Sequence, residues 1–109
     1  MLKIAMSPTA AALLRALLDR AGVTRDRILL TAVRSTDWHS LTFIGERHEL
    51  QLRIVGAASA NVAERLCRSL AEADFSIPGQ IVAEIASRSP RRQADGSVLV
   101  DIEALTIEE

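Results

Sequence analysis

The chain holds 109 residues, 49% of them hydrophobic and 25% charged, with a net charge of −1. That is the size of one domain able to bury a small core without staples, so residues 1–109 are expected to form a single α+β unit. The charge balance gives no bulk attraction to polyanions or acidic lipid, and the lone Cys67 makes neither an internal disulfide nor a thiolate metal cluster.

The first twenty residues open apolar, but Arg15 interrupts the run and Asp19 and Arg20 follow. Neither a signal core nor a membrane span fits such a stretch, and the expectation is a cytoplasmic protein with no membrane partner. Lys3 is the only lysine, and the arginine and alanine usage points to a GC-rich bacterial genome. A short strand over Leu2–Met6 is one option for the start. Ser7-Pro8 is a helix start, with serine as N-cap and proline at the first position. Leu13, Leu14, Leu17 and Leu18 recur at helical spacing up to a left-handed stop at Gly22, which predicts a helix over 8–21.

Residues 28–33 then read as a strand that is apolar on both faces, and residues 48–54 alternate as a half-buried strand. Between them lies STDWHSLTFIGERH, with the only tryptophan and both histidines. Asn61 with Glu64 resembles a capping box opening a second helix over 60–73. Ile77-Pro78-Gly79 is a reversal, and residues 80–87 form a third strand with Ile81, Ala83 and Ile85 on one side. Asp95-Gly96 marks a turn before a last strand over 97–107, whose change of apolar phase predicts a bulge near Glu103-Ala104.

Helix-strand-strand thus occurs twice, in residues 1–56 and 57–109. A gapless shift of 53 positions aligns Leu13 with Leu66, Ile28 with Ile81, Leu52 with Leu105 and Ile54 with Ile107. Two αββ units around one core predict a four-stranded antiparallel sheet with both helices on one face, a ferredoxin-like layout in circularly permuted order. Leu13, Leu17, Leu66, Leu70, Ile28, Ile81, Leu52 and Ile54 are the expected core.

Four residues invite a chemical reading. Asp37 and His39, like Glu46 and His48, are two apart and would share a strand face. Together they could suit a divalent metal or a histidine base oriented by a carboxylate. The spacing matches no established metal signature, so a structural role is the stronger expectation. In that reading Asp37 to Glu46 is a wide turn and Trp38 closes one end of the core. His39 and His48 are then partly exposed, and His48 titrates near the ordinary value of about 6.5.

Cys67 borders a helix stripe and reads as packing. Arg88, Arg91 and Arg92 form a basic knot without the aromatics or wide stripe of a nucleic-acid surface. No glycine-rich phosphate loop, nucleophile elbow or zincin motif is present, and no cofactor is expected. With the helices on one side, Leu29, Thr31, Val33, Val82 and Ala86 would form an apolar second face, which a twin sheet would cover. The leading expectation is a homodimeric, non-catalytic binding domain with Val33 and Val82 in its interface. A metal protein or small enzyme built on Asp37, His39, Glu46 and His48 is the alternative.

Overall fold

The computed structural model describes residues 5–109, so a strand over Leu2–Met6 falls largely outside the described residues, and Ala5 to Ser7 have no regular structure. The fold is α+β, with two α-helices and a five-stranded antiparallel sheet. In chain order the elements are α1 (Pro8–Ala21), β1 (Ile28–His39), β2 (Ile44–Ile54), α2 (Ser59–Cys67), β3 (Gln80–Ser87), β4 (Arg91–Arg92) and β5 (Val98–Glu108). The strand order is β1-β2-β5-β3, and the short β4 also pairs with β5.

α1 begins and ends on the predicted signals. The Ser7 hydroxyl accepts from the Ala10 N–H at 3.1 Å, Pro8 fills the first helical position, and Gly22 stops the helix at φ 70°. α2 departs from expectation. Ala58 precedes it with no side-chain cap, so the Asn61–Glu64 box does not form. The helix ends at Cys67, Ser69 turns the chain at φ 51°, and a 3-10 turn over Leu70–Glu72 follows. Leu70 is nonetheless only 3% exposed.

Leu13, Leu17, Leu66 and Leu70 pack onto one face of the sheet. There the two central strands supply the directly paired, buried residues Leu50 with Ile102, Leu52 with Val100, and Ile54 with Val98. Residues opposite each other in an antiparallel pair share a face, so this ladder fixes the sidedness of the sheet.

Two bulges reset that sidedness on the outer strands, at Thr31 in β1 and at Ala83 in β3. One extra residue reverses every side chain beyond it. Val33 therefore pairs with buried Leu50, and Val82 with buried Thr106, and both valines pack on the helix-side core. The expectation that they face away is overturned. Ile81 instead lies opposite Ile107 on the uncovered face, 53% exposed.

β5 keeps unbroken register with β2, so the bulge expected at Glu103-Ala104 is absent and Leu105 and Ile107 point away from the helices. The 53-residue alignment consequently matches helix-facing Ile28, Leu52 and Ile54 with residues of the opposite face. What repeats is the αββ order, together with a bulge at the same place in each unit's first strand.

Candidate functional site

The residues from Asp37 to Glu46 are not a wide turn. β1 runs on to His39, β2 starts at Ile44, and residues 40–43 close the hairpin. Ser40 builds that turn: its N–H donates to the Phe43 carbonyl at 2.9 Å, and its hydroxyl accepts from the Phe43 and Thr42 N–H groups at 3.0 and 3.3 Å. A serine that caps its own turn in this way needs no glycine there.

Trp38 sits opposite Gly45, which pairs in turn with Ile107, and Ile107 with Ile81. These four positions form an apolar row across the uncovered face. Gly45 is required there, because a Cβ would collide with the Thr106 carbonyl. The half-buried indole thus lies on the uncovered face and does not plug the core. Beyond it the hairpin end is strongly apolar and wet: Leu41 is fully exposed, Phe43 50% and Ile44 62%.

His48 corrects the expectation of partial exposure. It faces the helix side, is fully buried, and uses both ring nitrogens. The Ser35 hydroxyl lies 2.8 Å from Nδ1 and the Thr106 hydroxyl 2.9 Å from Nε2, so one imidazole ties β1, β2 and β5 together. Thr106 can donate onward to the Glu46 carbonyl at 3.4 Å. If Thr106 donates there, its oxygen accepts from Nε2–H and Nδ1 accepts from Ser35. Burial pushes the His48 pKa below its ordinary value, and the nearby Glu46 charge opposes this more weakly. The arrangement suits a neutral imidazole used as a bracket.

The other proposed ligands do not assemble around it. Asp37 pairs with Glu46 across the hairpin, and exposed His39 sits opposite Ile44. Among the described residues no three His, Cys, Asp or Glu side chains could hold a metal ion.

The basic knot is largely neutralised. Arg88 meets Glu103 at 3.1 Å, while Arg91 meets Asp101 at 2.6 Å with Gln51 on the other carboxylate oxygen. These pairs stitch the segment after β3 onto the uncovered face, beside a shallow trough of about 430 Å³ also lined by Arg34 and Glu49. Arg92 is exposed at the end of β4, and Cys67 is half-buried on α2.

Sequence reasoning missed Ser35 and Thr106, because nothing local marks them as partners of a histidine. It also passed over Leu41, Phe43 and Ile44, whose signal was present as an apolar cluster in a turn that should be polar. Compared with known proteins, the chain matches no family model, no curated protein and no solved structure.

Proposed function

We propose that this chain is a non-catalytic, homodimeric interaction domain whose contact surface is the β1–β2 hairpin. One observation carries the reading: of the five large hydrophobic residues exposed among the described residues, Leu29, Leu41, Phe43 and Ile44 lie on that hairpin. Side chains that would each gain about 1.5–3 kcal/mol on full burial are gathered on it, Leu41, Phe43 and Ile44 at its closed end and Leu29 at its open end, the pattern of a partner-binding surface. The strand order is the one a ferredoxin-like sheet takes when its first strand is moved to the end of the chain. That likeness concerns layout and carries no activity.

The test is mass in solution. Light scattering at tens of micromolar should report a dimer, and the double substitution Leu41→Ser with Phe43→Ser should give monomers of unchanged circular dichroism. These two side chains are exposed, so the change leaves the core intact. A wild-type chain that stays monomeric throughout this concentration range refutes the reading.

A further inference from the structure

The proposed dimer needs a geometry, and the outer edge of β1, unpaired among the described residues, supplies one. β1 is twelve residues long and has a single neighbour, β2, among the described residues. Exposed edges are usually kept short or interrupted by proline, lysine or bulges. β1 contains no proline, glycine or lysine, and its one bulge, at Thr31, leaves Ala32 to His39 in regular register.

We infer that this edge pairs with β1 of a second copy, antiparallel about a two-fold axis at Thr36, so that two sheets become one. The inference rests on the homodimer reading above and specifies its register. Antiparallel partners must share a sheet face, so a symmetric pairing must be centred on a residue. A centre at Arg34 or Asp37 sets like charges against each other, which is unfavourable. A centre at Ser35 sets the Asp37 carboxylate against apolar Val33.

With Thr36 at the centre, Arg34 lies against Trp38 of the second copy on the uncovered face, a guanidinium over an indole. Asp37 lies against the small polar Ser35, and Thr36 meets its own equivalent, a favourable β-branched pair. His39 falls opposite Val33, which carries the hairpin end of one copy alongside Leu29 of the other. Leu41 and Phe43, together with Leu29 at 47% exposure, then cover one another. The same register gives Arg34, Trp38 and the exposed apolar groups of the edge their partners.

The experiment is cysteine cross-linking in a Cys67→Ser background. Paired Cα atoms at the axis would be about 4.5–5.5 Å apart, within disulfide range. Thr36→Cys should therefore oxidise to a covalent dimer in high yield, while Ala86→Cys, exposed on the opposite edge strand β3, should not. Arg34→Ala should weaken association roughly tenfold, through two lost cation–π pairs per dimer. In the unmodified protein, amide exchange along Ala32 to His39 should slow as concentration rises. A dimer that cross-links through Ala86, or leaves those amides unprotected, overturns the β1 pairing while keeping the homodimer. A monomeric wild type overturns both.

Discussion

A histidine with both nitrogens bonded to hydroxyls and no access to water can hold a proton only at a cost. His48 is such a residue, and its lowered pKa follows from burial first. Since the unfolded chain takes up this proton at about pH 6.5 and the folded chain only lower, the contribution of His48 to stability is complete above that pH. It is lost as the pH falls through the folded-state value. The melting temperature should therefore drop on acidification below about pH 6.5, and His48→Gln should flatten that slope while lowering stability at neutral pH. Asp95 does not confuse the measurement. The Ser97 hydroxyl, at 2.6 Å, and its N–H, at 2.9 Å, hold that carboxyl below its usual value, so its effect lies in more acid solution. An equal slope in the variant would mean that His48 is solvated. This chemistry could not be read from the sequence, because the two hydroxyls stand 13 and 58 positions from the imidazole. Only the sheet register brings them together.

At the scale of elements, legibility depended on whether the signal was local. α1 announced itself at both ends through Ser7-Pro8 and Gly22, groups that act on the adjacent backbone. α2 did not end where expected, because Leu66 and Leu70 keep helical spacing even though the chain turns left-handed at Ser69 between them. The bulges at Thr31 and Ala83 were the larger omission. A bulge preserves alternation on each side of itself and shows only as a change of phase, which in a strand apolar on both faces is invisible. The consequence is testable at Val33. As a residue of an open face it would accept aspartate without harm to folding. As a partner of Leu50 against the core, Val33→Asp should cost about 3 kcal/mol in chemical denaturation. Ile81→Asp, on the uncovered face, should cost far less. Equal costs would contradict the register on both strands.

The whole molecule is two αββ units that complete one another, and their dependence is written at the helix ends. The central strand pair, β2 with β5, takes one strand from each unit, so neither can close its sheet alone. The helices repeat that exchange. A helix leaves its last carbonyls without intrahelical donors, and a cation there also meets the negative end of the helix dipole. Half-buried Arg20, near the end of α1, donates through Nε to the Leu66 carbonyl at 3.1 Å and through its terminal nitrogen to the Arg68 carbonyl, both at the end of α2. Arg65 of α2 answers with a bond to the Ala21 carbonyl, the last residue of α1, at 3.3 Å. This also explains how α2 can stop early, since the carbonyls freed at Leu66 and Arg68 are taken by a residue of the other unit. Arg20 is therefore a clamp between units. Hydrogen bonds from a charged donor are worth about 1.5–3 kcal/mol each when sheltered, and partial exposure reduces that here. Arg20→Ala should lower the unfolding free energy by roughly 1–2 kcal/mol and keep a single cooperative transition. Arg20→Lys, with one ammonium in place of a planar fork, should recover only part of the loss. Full recovery by lysine would mean that charge alone acts at this position, and an unshifted midpoint in Arg20→Ala would mean that the units hold together without the clamp.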